Sequence, residues 1–120
     1  MSREIRVMYL RDVKGQPVGC VACQVKRDGH DYVGSYQLSV LNPADKFNRG
    51  VARQLAKGRL LENPIRFNLP IAPSTHEVTE AMMRSIASDK DLPTRAQKAA
   101  TRWLDSSNEK LDEIMNSYDF

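Results

Sequence analysis

Residues Val18 to Lys26 constrain the fold of this chain more than any other segment. Val18, Cys20 and Ala22 alternate with Val21, Cys23 and Val25, so an extended strand here is apolar on both faces. Side chains on a strand point alternately to its two sides, and a strand apolar on both sides has to be central and covered twice. The neighbours fit that role. Glu4 to Leu10 alternates Ile5, Val7 and Tyr9 with Arg6, Met8 and Leu10, and Tyr32 to Leu41 sends Tyr32, Tyr36, Leu38 and Val40 one way. The links are turn chemistry: Asp12-Val13-Lys14-Gly15-Gln16, then Arg27-Asp28-Gly29-His30, in which Asp28-Gly29 is a strong hairpin signal. The front third therefore predicts a three-stranded antiparallel meander, which needs a cover to be stable.

The cover follows. Asn42 and Pro43 suit a helix start and Asp45 its first turn, with the helix running to about Leu61 and stopping before Asn63-Pro64. Phe47, Val51, Leu55, Gly58 and Leu61 share one face at helical spacing and are the expected buried stripe. Pro64 to Pro73 alternates Ile65, Phe67, Leu69 and Ile71 with polar residues or proline, an extended crossover or edge strand. Ser74-Thr75-His76-Glu77 reads as a capping box for a second helix from about Thr75 to Ser88, burying Val78, Ala81, Met82 and Ile86. A third helix is predicted over Thr94 to Ser117. Its residues Ala100, Leu104, Ser107, Leu111, Ile114 and Tyr118 have the spacing of a heptad seam, open to a core or to a partner helix from a second copy. The expected class is α+β: one domain over residues 1–120, a three- to four-stranded antiparallel meander packed by about three helices, the C-terminal one long.

Charge is divided unevenly. Met1 to Arg66 holds twelve basic and six acidic residues, whereas Phe67 to Phe120 holds six basic and nine acidic. The last stretch, Asp105 to Phe120, has five acids and one lysine. A basic front suggests an anion-binding surface, and a basic front with an acidic back also permits self-association. No apolar run reaches the roughly 18–20 residues that cross a bilayer. The first residues carry no apolar signal region, so the expected compartment is the cytoplasm, the host's if the chain is phage-encoded.

Several chemistries lack their residues. Cys20-Val21-Ala22-Cys23 matches C-x-x-C, but two cysteines three apart on a strand face opposite ways, and only His30 and His76 remain as further zinc ligands. Both thiols are therefore expected in the core. Neither histidine stands in a recognisable nucleophile–base order, and there is no P-loop or dinucleotide glycine motif. No metal, cofactor or catalytic residue is expected. A nucleotide hydrolase using Cys20, His30 or His76 is the weakest of three functional readings.

The strongest signal is the block Asn42 to Arg59. Lys46, Arg49, Arg53 and Lys57 are spaced three, four and four residues apart, with Arg59 following. Like charges along one helix stripe repel, and a phosphate ligand, gripped by arginine forks, relieves that repulsion. The modest +3 net charge and 7% aromatic content suit a small nucleotide better than a long duplex. Lys46, Arg49, Arg53, Lys57 and Arg59 are the candidate charged ligands, with Tyr36 or Phe47 as a stacking surface.

The run Tyr36 to Arg59, with Asn42-Pro43-x-Asp45-x-Phe47-x-Arg49 and Ala56-x-Gly58-Arg59, resembles small proteins of tailed bacteriophages. In size and in its meander-then-helix order the chain resembles phage-encoded Thoeris anti-defence sponges. That resemblance implies an oligomer that sequesters a cyclic ADP-ribose-type signal without cleaving it. It covers the first half of the chain and transfers no site residue. The leading expectation is thus a non-catalytic binding protein that sequesters a small phosphate-bearing cyclic nucleotide to counter host defence, homo-oligomeric through its C-terminal helix. The alternative is a phage inhibitor that binds a host protein or nucleic-acid complex, in the manner of an anti-CRISPR.

Overall fold

The computed structural model describes residues 5–41 and 46–117, with side chains up to residue 106. Strands β1 (Arg6–Arg11), β2 (Pro17–Asp28) and β3 (Asp31–Val40) are followed by helix α1 (Arg49–Glu62), strand β4 (Ile65–Leu69) and helices α2 (Thr75–Ser88) and α3 (Thr94–Ser117). The four strands form one sheet in the order β1-β2-β3-β4, every neighbour antiparallel. The class is α+β, and the proline-rich crossover supplies the edge strand β4.

The meander forms for the reason its alternation suggests, with two refinements. Val18, expected on the face of Cys20 and Ala22, joins the opposite core with Val21 and Cys23, because the β1–β2 register shifts between Leu10 and Arg11 and breaks the alternation at the start of β2. The other refinement is at the second turn. Asp28 pairs with Asp31, so the two central turn residues are Gly29 and His30, not Asp28 and Gly29. Gly29 has φ +64° and His30 is not at positive φ, the pattern of a turn with glycine at its first central position.

β2 is covered on both faces. One face of the sheet sets Val21 and Cys23 of β2, with Tyr36 and Leu38 of β3, against Val78, Met82, Met83 and Ile86 of α2 and Ala96, Ala99 and Ala100 of α3. The other sets Cys20 and Ala22 against Ala52, Ala56 and Leu60 of α1. The two cysteines thus lie in separate cores. The buried Ser39 hydroxyl donates to the Ala52 carbonyl at 3.1 Å, and the Gln37 side chain donates to the Asn63 carbonyl at 2.9 Å, tying α1 to β3.

α1 departs from expectation twice. It starts after Asn48, whose side chain accepts from the Val51 amide at 3.1 Å; the expected start at Asn42, Pro43 and Asp45 lies outside the described residues. Its buried row is Ala52, Ala56 and Leu60, while Val51, Leu55 and Leu61 are 53%, 46% and 73% exposed. The reason is in β2: over the small Cys20 and Ala22, the alanines Ala52 and Ala56 let the helix settle closely, with Leu60 completing the buried row. α2 begins at the expected capping box of Ser74 and Glu77 and buries Val78, Met82 and Ile86 as expected; Met83 is buried as well, while Ala81, expected in the stripe, is only partly buried at the core edge. On α3, Ala100 is buried and Leu104 packs at the core edge; Ser107, Leu111, Ile114 and Tyr118 of the expected seam lie outside the described side chains. No described helix is long and apolar enough to cross a membrane.

Candidate functional site

The geometry of α1 divides the five candidate cations. With Ala52, Ala56 and Leu60 facing the sheet, a turn of about 100° per residue sends Arg53 and Lys57 to one flank and Leu55 and Arg59 to the other. On the second flank Lys46, Phe47, Asn48, Val51, Leu55 and Arg59 line a cleft of about 300 Å³ against the end of β3. Arg59 is fixed there, its guanidinium donating to the Leu38 carbonyl at 3.0 Å.

On the first flank Arg53 and Lys57 are close enough to Cys20 to favour its thiolate. Burial outweighs them, and the thiol stays above its ordinary pKa. Arg49 lies over the Tyr9 ring, 5.3 Å from its centre, and Tyr9 in turn meets Phe47 edge-on at 5.8 Å. Phe47, rather than heading a buried stripe, thus joins a Tyr9–Arg49 stack at the helix entrance.

Tyr36 is not part of this surface. It is fully buried on the opposite face of the sheet, with its hydroxyl 2.8 Å from that of Ser85. Its neighbour is the Phe67 ring at 5.7 Å, so Tyr36 is a core residue and not a stacking platform for a base. Tyr36 shares its face with Leu38 and Val40, as the alternation predicts, and that face packs against α2 and α3.

The cations near α1 have no carboxylate partner among the described residues. Both described ion pairs sit on α2, where Glu80 meets His76 at 3.7 Å and also meets Arg84. The residues of nucleophilic or metal chemistry are dispersed. Cys20 and Cys23 occupy different cores. His30 is in the β2–β3 turn, and His76, in the first turn of α2, packs its ring 5.8 Å from that of Trp103. Cys23 is pushed up to about 11 by burial, against a smaller opposing pull from Arg6. A thiol held protonated in this way is a packing group at neutral pH.

A second basic surface escaped the sequence reading. Arg95, Lys98 and Arg102 of α3 line a groove of about 800 Å³ together with Arg11 at the end of β1. Their i, i+3, i+7 spacing was a legible sign of one helix face. It was masked by averaging charge over the back of the chain, where the acids lie mainly at 105 and beyond.

No protein-family model, curated protein or solved structure matches this chain.

Proposed function

We propose that this protein captures a small phosphate-bearing nucleotide without turning it over, at the cleft beside α1. The observation that carries this reading is the pairing of unlike surfaces in one place. Phe47, Val51 and Leu55 offer apolar walls, while Lys46 and Arg59 offer cations without a carboxylate partner among the described residues. A nucleotide has the matching halves, a planar base and an anionic phosphate. A cleft of about 300 Å³ is at the lower end of the range for small ligands. Arg59 enters the site already oriented by the Leu38 carbonyl, which lowers the entropy lost on gripping phosphate. Arg53 and Lys57, on the far flank, raise the local potential without touching the same ligand. Capture without chemistry needs no general base. The phage anti-defence resemblance of the first half agrees with a sequestering function, and a homo-oligomer through α3 completes the proposal.

A second reading has its own observation. Val51 and Leu55 are about half exposed on a basic helix, a surface that also suits a host protein or nucleic-acid complex. Native mass spectrometry of the freshly purified protein, followed by calorimetry with a panel of linear and cyclic nucleotides, separates the two. A nucleotide-sized mass released intact, with affinity lost at least tenfold in Lys46→Glu, supports capture. A bare protein that stays empty across the panel overturns it and turns the search to a macromolecular partner.

A further inference from the structure

The groove between α3 and the β1–β2 turn is a separate site. We propose that it binds an oligophosphate, a ligand carrying at least two adjacent phosphate groups. Three arginines reach it, each already clamped by main-chain carbonyls. Arg102 donates to the carbonyls of Asp12 at 2.6 Å and Val13 at 3.2 Å. Arg95 donates to that of Leu41 at 2.6 Å, and Arg11 to that of Gly15 at 2.9 Å. A guanidinium has five N–H donors, so each keeps at least three for a ligand while its position is held by the backbone. Lys98, exposed between Arg95 and Arg102, has no hydrogen-bond or ion-pair partner among the described residues.

The charge balance points the same way. Arg11, Arg95, Lys98 and Arg102 face two acids, Asp12 and Asp105. One Asp12 carboxylate oxygen is already engaged, accepting the amides of Lys14 at 2.9 Å and Gln16 at 3.0 Å. Four cations, three on α3 and one on β1, unpaired with acids among the described residues, repel one another at a cost that a polyanion offsets. Arg95, Lys98 and Arg102 rise along one face of α3 in steps of about 4.5 and 6 Å. That ladder meets successive phosphates better than one tetrahedral anion. Val13, Val18 and Ala99 give the groove an apolar wall, and its volume of about 800 Å³ leaves room for whatever the phosphates are attached to.

The site is independent of the α1 cleft and is tested separately. The probe is inorganic tripolyphosphate, titrated into the ¹⁵N-labelled full chain at constant ionic strength, with orthophosphate in a parallel titration. The expected result is amide shifts confined to residues 11–18 and 94–102, with tripolyphosphate bound at least tenfold more tightly than orthophosphate. Lys98→Glu, which removes no described contact, should weaken tripolyphosphate at least tenfold with the spectrum otherwise folded. Arg95→Gln should weaken it too, though it also loses the Leu41 tie. Lys46→Glu should leave this binding unchanged. Equal affinity for the two anions, shifts centred on α1, or indifference to Lys98→Glu overturns the proposal and leaves the reading of the α1 cleft standing. Loss of nucleotide capture with the groove still binding tripolyphosphate does the reverse.

Discussion

The ring of Phe67 on β4 lies flat against Gly34 on β3, its cross-strand partner, so closely that a β-carbon added at Gly34 would stand 2.2 Å from Phe67 Cζ. The glycine is required by the neighbour, not by its backbone angles. It lets an edge strand place an aromatic ring over the sheet, where the ring also meets Tyr36. Gly34→Ala forces Phe67 from its place and is expected to cost about 1–3 kcal/mol as overpacking. Urea unfolding should show a lower midpoint at unchanged slope. Shortening the neighbour in the double variant Gly34→Ala/Phe67→Leu should recover part of the loss. Losses that simply add would show that the two residues are not coupled.

Tyr36 is anchored from the other side, by its hydroxyl contact with Ser85 of α2. Tyr36→Phe is expected to destabilise by about 1 kcal/mol, the worth of one partly buried hydrogen bond. Nucleotide affinity should not change, because the whole sheet lies between this ring and α1. A variant that folds normally but binds nucleotide tenfold more weakly would return Tyr36 to the site.

The helix start can be located by substitution. Asn48 caps α1, so Asn48→Ala should cost about 0.5–2 kcal/mol. A thermal melt reads this directly, as a midpoint several degrees lower. Ser74→Ala, at the capping box of α2, sets the scale for comparison within the same protein.

These residues also show what the sequence could and could not reveal. Strands were legible because alternation reports directly which side of a sheet is covered, and the capping box of α2 because its two residues satisfy each other at fixed spacing. The α1 stripe misled because hydrophobicity ranks Val51 and Leu55 above Ala52 and Ala56, whereas the sheet beneath selects for size. Cys20 and Ala22 are met by Ala52 and Ala56 at close range, a match set across roughly thirty residues of chain. The basic stripe was legible as a set of charges but not as one site, since Lys46 and Arg59 share a cleft only through the path of the chain into α1 and the end of β3. The arginine groove depends on the β1–β2 turn meeting α3, with Arg102 hydrogen-bonded to residues about ninety positions away, and no local pattern reports that meeting.

The two thiols give a prediction in which the sign matters. Cys23 is raised from 9.0 to about 11, chiefly because burial disfavours the thiolate. Below pH 9 the thiol is protonated in both folded and unfolded chains, and the folded environment is fully compatible with it. As pH rises from about 9 to about 11 the unfolded chain gives up its proton while the folded chain keeps it, so the unfolded state is favoured increasingly. Over that window Cys23 should withdraw on the order of 2–3 kcal/mol of stability, and Cys20, raised for the same main reason, should add to the loss. The check is the difference in unfolding free energy between the parent chain and Cys23→Ala at pH 8 and pH 10.5, which should narrow at the higher pH. Ellman's reagent at pH 8 should react with both thiols only at the rate of opening of the fold. Fast stoichiometric labelling of the native protein would show that Cys20 or Cys23 is not held in its core.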